Sequence, residues 1–86
     1  MTQQSVHETA QAPPWPGRFL ALMQGDDVHT WQDKMRKRGW TSLKVDGIYG
    51  THSEEVCRSF QQKKGLVVDG IVGPKTWEAT WKAPIT

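Results

Sequence analysis

Two Asp-Gly pairs, Asp46-Gly47 and Asp69-Gly70, are the residues most suited to chemistry in this chain, and the chemistry they suit is recognition. An aspartate before a glycine accepts bonds from backbone N–H groups just ahead, and the glycine turns the chain with φ > 0. Each pair is followed by two apolar residues, Ile48-Tyr49 or Ile71-Val72, and then by a second glycine. The apolar pairs are expected to tuck inward. Such loops let a ligand approach the backbone closely. Around them stand two glutamines, Gln32 and Gln61, a tyrosine, Tyr49, and a tryptophan after a helix-ending glycine, Trp40. Asp46 and Asp69 are read as loop-internal acceptors with direct ligand contact as the alternative. Gln32 and Gln61 either brace the loops or touch ligand. Tyr49 is divided between core and groove. Trp40 either offers its ring to a ligand or covers the core.

Catalysis fails on inventory. A nucleophile needs a base beside it, and His7, His29 and His52 are scattered. Glu54 and Glu55 are adjacent on a helix and diverge, so they suit the positive helix end better than acid–base work. Cys57 lies among Val56 and Phe60 and reads as a small buried hydrophobe. One cysteine excludes an internal disulfide and a thiolate-built zinc site. No metal-ligand spacing occurs, and no cofactor is expected.

The elements that must position these residues follow from a repeat. Val45–Glu55 and Val68–Glu78 align at an offset of 23 residues with six identities in eleven positions. Self-similarity of this kind fixes the architecture of a unit, here a loop, a glycine and a helix. Helices are predicted over 27–38, 52–64 and 75–82. Asp26 or Asp27 caps the first, and Val28, Trp31 and Met35 form its apolar stripe. Pro74 suits the first turn of the third. Leu43-Lys44-Val45 and Leu66-Val67-Val68 are the candidates for a short strand pairing. Pro13, Pro14 and Pro16 force an extended strap, with Trp15, Phe19 and Leu20 to anchor it across the helices. Trp31, Trp77 and Trp81 read as core. The first 14 residues have almost no apolar weight and read as a tail or linker, leaving 15–83 as one domain. The fold class is all-α, a compact three-helix bundle.

Charge and hydropathy narrow the partners. The chain has 86 residues, 36% hydrophobic and 23% charged, with 11 Lys and Arg against 9 Asp and Glu. No run approaches the roughly 18 apolar residues of a membrane helix. The run Lys34, Arg36, Lys37, Arg38 reads as a solvated helix end. A helix-turn-helix nucleic-acid binder is disfavoured by long inter-helix loops and by acid where phosphate would lie. A protein- or peptide-interaction module using the strap and an exposed tryptophan is the alternative reading. A monomer is expected. The N-terminus has neither the early positive charge nor the apolar core of a secretory signal.

The order Val28, Trp31-Gln32, Met35, Gly39-Trp40, then VDGIYG, then Phe60-Gln61, then GLVVDGIVGPKTW, resembles the peptidoglycan-binding domain of the three-helix type found beside bacterial and phage cell-wall hydrolases. The likeness runs from Trp15 to Trp81. It implies non-catalytic attachment to cell-wall peptidoglycan and a separate, fused or associated hydrolase, as in a phage or actinobacterial endolysin. It makes the groove between the two loops the candidate site, with Gln32, Trp40, Asp46, Tyr49, Gln61 and Asp69 as candidate ligand residues. Against the family pattern, Trp31 and Thr80 stand where leucine is usual, and Thr51 where proline is common. The change at Thr80 is expected to weaken a core contact that Trp81 makes good.

Overall fold

The computed structural model describes residues 12–84. The tail expected over residues 1–14 therefore falls, for residues 1–11, outside the described residues. Ala12 packs against the core, and the Pro13 carbonyl accepts the Trp77 indole N–H at 2.9 Å.

Three helices form the body: α1 (Asp26–Lys37), α2 (Thr51–Lys63) and α3 (Pro74–Lys82). Each buries one stripe, because apolar residues recur at helical spacing. α1 buries Val28, Trp31, Gln32 and Met35; α2 buries Ser53, Val56, Cys57, Phe60 and Gln61; α3 buries Thr76, Trp77 and Thr80. Leu20, Leu43, Tyr49 and Val72 close the core from the connections. Both long helices end in a six-to-one bond, Trp40 N–H to Met35 and Leu66 N–H to Gln61. The residue at the α1 N-cap is Gly25, without a side-chain cap, so neither Asp26 nor Asp27 is the cap. Asp27 instead accepts its neighbour's N–H, that of Val28, and pairs with Arg18 at 2.7 Å.

The strand pairing differs from expectation. The antiparallel ribbon joins β1 (Met23–Gln24) to β2 (Ile48–Tyr49), and an isolated bridge joins Leu20 to Val72. The apolar residues after each Asp-Gly are thus in extended backbone and alternate. Tyr49 and Val72 are buried, while Ile48 is 52% exposed and Ile71 36%. Only the second of each pair tucks inward, as the period of two requires. Before the ribbon, Trp15 meets Trp77 and Phe19 edge-on at 5.8 and 5.9 Å.

Thr80 does not weaken the core. It is fully buried and accepts the Trp31 indole N–H at 3.1 Å, while its own hydroxyl donates to the Thr76 carbonyl at 2.7 Å. A tryptophan at position 31 brings a donor into the core, and an orphaned buried donor is costly. Threonine at 80 supplies its partner, so the two departures from leucine compensate each other. Trp81 is partly buried and leans on Trp77 at 4.6 Å. Thr80→Val is expected to cost about 1–2 kcal/mol by denaturant midpoint. The same change in a Trp31→Leu background should be close to neutral. Equal costs in both backgrounds would remove the compensation argument.

A second departure concerns Arg38. It is not a solvated helix end but a residue only 8% exposed. Its Nη1 donates to the carbonyls of Thr80 and Ala83 at 3.0 and 2.9 Å, and its Nη2 to Pro84 at 2.7 Å. Its guanidinium lies 5.0 Å from the centre of the Phe60 ring. It therefore ties the end of α1 to the end of α3.

Candidate ligand-binding site

Each Asp-Gly loop is built on one buried glutamine. Gln32 sits one residue after Trp31 on α1 and is 1% exposed. Its Oε1 accepts the N–H groups of Asp46 and Gly47 at 3.1 and 2.8 Å. Its Nε2 donates to Ile48 O at 2.9 Å and Ser53 Oγ at 3.0 Å, with Asp46 Oδ1 at 3.3 Å. Gln61 sits one residue after Phe60 on α2 and does the same for the second loop. Its Oε1 accepts from Asp69 and Gly70, both at 3.0 Å. Its Nε2 donates to Asp69 Oδ1 at 2.9 Å, and to Ile71 O and Thr76 Oγ1 at 3.1 Å. Both side-chain amides are spent inside the fold.

The aspartates complete the turns. Asp46 Oδ1 accepts Ile48 N–H, and Asp69 Oδ1 accepts Ile71 N–H, each at 2.9 Å. These backbone bonds, aided by the glutamine amides, hold both carboxyls below the usual range. Both stay ionised, both are exposed, and among the described residues the bonds fall on Oδ1 of each. Gly47 and Gly70 follow at φ 77° and 73°. A Cβ at Gly70 would also meet the Glu54 side chain at 2.7 Å, so this loop lies hard against α2.

Tyr49 belongs to the core. It is 1% exposed, its ring lies 5.5 Å from Trp31, and its hydroxyl donates to Gly70 O at 2.7 Å. Burial pushes its proton affinity far up, so it remains a neutral donor. This bond ties the first loop to the second. Beside it, burial raises the Cys57 thiol to about 11, which keeps it un-ionised and unreactive at neutral pH. Among the described residues no group of three or more His, Cys, Asp or Glu could hold a metal.

Of the concavities around the loops, two are each lined by one loop and the start of the helix that follows it. The first has a volume of about 350 Å³ and the second about 140 Å³. Their walls correspond at the repeat offset. Leu43, Asp46, Ile48 and Gly50 of the first answer to Leu66, Asp69, Ile71 and Gly73 of the second. The differences are Lys44 for Val67, Thr51 for Pro74, His52 for Lys75 and Ser53 for Thr76. Gln32 and Gln61 floor them, and Ser42 adds a hydroxyl to the first. At the first, α2 starts after Gly50 with no side-chain cap, so its leading N–H groups stay outside the helical ladder. At the second, Pro74 supplies no N–H at the equivalent place. The first concavity is thus both the larger and the richer in donors.

The six sequence candidates do not gather at one point. Gln32 and Asp46 line the first concavity, Gln61 and Asp69 the second. Tyr49 lies between the loops. Trp40 lines neither of the two; it is half-buried, with Lys63 Nζ 5.8 Å from the centre of its ring. Sequence reasoning passed over Ser42, Leu43, Lys44, Thr51, His52 and Ser53. Extending the repeat two residues before Val45 and reading its mismatches as wall differences would have found most of them.

Known proteins match this chain in sequence and in fold. Residues 24–79 match the family described as "Putative peptidoglycan binding domain". The spore cortex-lytic enzyme of Bacillus cereus is 41% identical over 59 residues, which are 69% of this chain and 23% of that protein. The N-acetylmuramoyl-L-alanine amidase CwlM of Mycobacterium tuberculosis is 39% identical over 59 residues, 69% of this chain and 14% of that protein. The chain thus spans a quarter or less of these relatives. The solved SleB N-terminal domain superposes with a TM-score of 0.72 at 33% identity, covering 77% of this chain and 92% of that one. A fused Zn-dependent amidase/peptidase/peptidoglycan-binding domain-containing protein from Clostridium acetobutylicum gives 0.72 at 29% identity, covering 78% and 30%. With the matched segment running from β1 into α3 and both loops inside it, the chain belongs to this family of peptidoglycan-binding domains.

Proposed function

We propose that this domain binds bacterial cell-wall peptidoglycan without cleaving it and holds a cell-wall hydrolase on its substrate, in the manner of a phage or actinobacterial lysin. The observation that carries the reading is the first concavity. It offers an ionised Asp46, the hydroxyls of Ser42 and Thr51, the unladdered N–H groups of α2 and the exposed flank of Ile48. A wall fragment presents the complementary set: hydroxyls and amides to donate to Asp46, carboxylates and carbonyls to accept from α2, and apolar sugar faces for Ile48. Gln32 holds Asp46 in place. Gln61, Asp69 and Tyr49 hold the second loop against the first. Trp40 offers its outer face to a sugar ring from the neighbouring turn. The domain works as a monomer at the wall, with no cofactor, nucleic acid or membrane taking part. Single contacts in a wet groove are weak, so dense sites in the wall supply the avidity.

Sedimentation with purified insoluble peptidoglycan tests this. The protein should enrich in the pellet over cellulose and chitin controls at moderate salt. His52→Trp, which fills the first concavity, should lower the pelleted fraction several-fold, and Lys75→Trp in the second should not. Pelleting no better than on cellulose would overturn the reading.

A further inference from the structure

The overall charge of +2 conceals a strongly polarised molecule. Three helix ends meet at one pole. Arg38 after α1 and Lys64 after α2 both donate to the Pro84 carbonyl after α3, Lys64 at 2.6 Å. α1 brings Lys34, Arg36, Lys37 and Arg38 to this pole, α2 brings Lys63 and Lys64, and α3 brings Lys82. Among the described residues the carboxylates there are Asp33, paired with Lys37 at 2.9 Å, and Glu78, paired with Lys82 at 3.1 Å. Arg38 is buried on its carbonyls and Lys64 is bonded to Pro84, so the outward cations are Lys34, Arg36, Lys37, Lys63 and Lys82, five against two anions. Helix dipoles offset only part of this excess: three C-termini carry roughly half a negative charge each. The acidic residues Asp26, Asp27, Glu54 and Glu55 lie at the opposite, N-terminal helix ends, and Asp46 and Asp69 in the loops.

From this charge complementarity we propose that the basic pole is a second binding surface, for a phosphodiester-linked polymer carried on the wall. It rests on the wall-binding reading above, but uses lysines, Lys34, Lys37, Lys63 and Lys82, that line neither concavity. A row of phosphates matches an array of flexible lysines that requires no fixed register, and binding releases counterions. A duplex is the less suitable polyanion, because no helix lays its side along this pole; the pole is made of helix ends. The result is a domain held at both ends, by peptidoglycan at the loops and by polyanion at the helix C-termini.

The test uses whole walls and the same walls extracted with cold acid, which removes the phosphodiester polymer and leaves peptidoglycan. The full chain is sedimented with each across a salt series. Whole walls should bind about tenfold more tightly at low salt, with the steeper salt dependence. The triple variant Lys34→Gln, Lys37→Gln, Lys82→Gln should match wild type on extracted walls and lose the gain on whole walls. Its salt slope should fall by roughly two units. The two ion pairs it breaks are exposed and worth little to folding, and a melting curve confirms that the variant is folded. Equal wild-type binding to both walls, or a triple variant that keeps the gain, overturns the proposal. So does duplex DNA that displaces the protein from whole walls better than the purified polymer at equal phosphate. Binding to whole walls alone would retain the basic pole and overturn the peptidoglycan reading; binding to neither overturns both.

Discussion

Gln61→Met is expected to lower the melting temperature by at least about 12 °C, although it conserves volume in a side chain that is 1% exposed. The loss comes from hydrogen bonds alone. Methionine cannot accept from Asp69 N–H and Gly70 N–H, and it cannot donate to Ile71 O or Thr76 Oγ1. Several buried or half-buried groups are then orphaned together, each at about 1–3 kcal/mol, with water recovering part of it at the exposed loop. A net cost of about 3 kcal/mol follows. That is a large fraction of what some 70 residues can muster, since domains hold roughly 0.05–0.15 kcal/mol per residue. Differential scanning calorimetry reads the result, and a shift below 3 °C would show that the glutamine is dispensable to the loop. Sedimentation on peptidoglycan separates bracing from contact. If the pelleted fraction falls only as far as the folded fraction, Gln61 acts by holding the loop.

The second large effect is expected at Arg38. Truncation to alanine removes three bonds from a charged donor to the carbonyls of Thr80, Ala83 and Pro84, and its contact with the Phe60 ring. Bonds to charged groups are worth about 1.5–3 kcal/mol each, and water can replace part of this near the chain's end. A loss of about 2–4 kcal/mol is expected, with the last turn of α3 fraying first. Burial lowers the proton affinity of this guanidinium, yet arginine starts so high that it stays charged. Arg38→Lys should recover only part of the loss, because one ammonium cannot span carbonyls that a planar fork reaches together. Hydrogen exchange on residues 79–83 checks the local effect. Unchanged protection there in Arg38→Ala would show that the arginine does not hold α3.

The two predictions differ in what the sequence disclosed. The Gln61 role was half visible, because a glutamine after an apolar helix residue and an Asp-Gly loop recur together. Bracing and ligand contact remained equal in kind, since both need an amide near the loop. Distances of 2.9–3.1 Å to five groups show where the amide is spent. Arg38 was not visible at all. Three cations beside it are half-buried or exposed, and nothing in a run of like residues marks the one that turns inward. Its partners are carbonyls, which carry no residue-type signature, and they lie more than 40 positions away.

The same limit divides the rest of the protein. Helix positions and their core stripes are local matters of spacing, and the sequence by itself determined them. Alternation was determinable too: reading Ile48-Tyr49 and Ile71-Val72 at a period of two separates the exposed residue from the buried one. What only the tertiary structure decided were relations between distant residues. They include the pairing of Met23–Gln24 with Ile48–Tyr49, the Trp31–Thr80 bond that turns two unusual residues into one compatible pair, and the meeting of three helix ends in one basic pole. They also include the unequal size of two grooves with matching walls. The physical reason is that a hydrogen bond or a summed charge depends on where groups end up in space, whereas helical and extended periods depend only on neighbours along the chain.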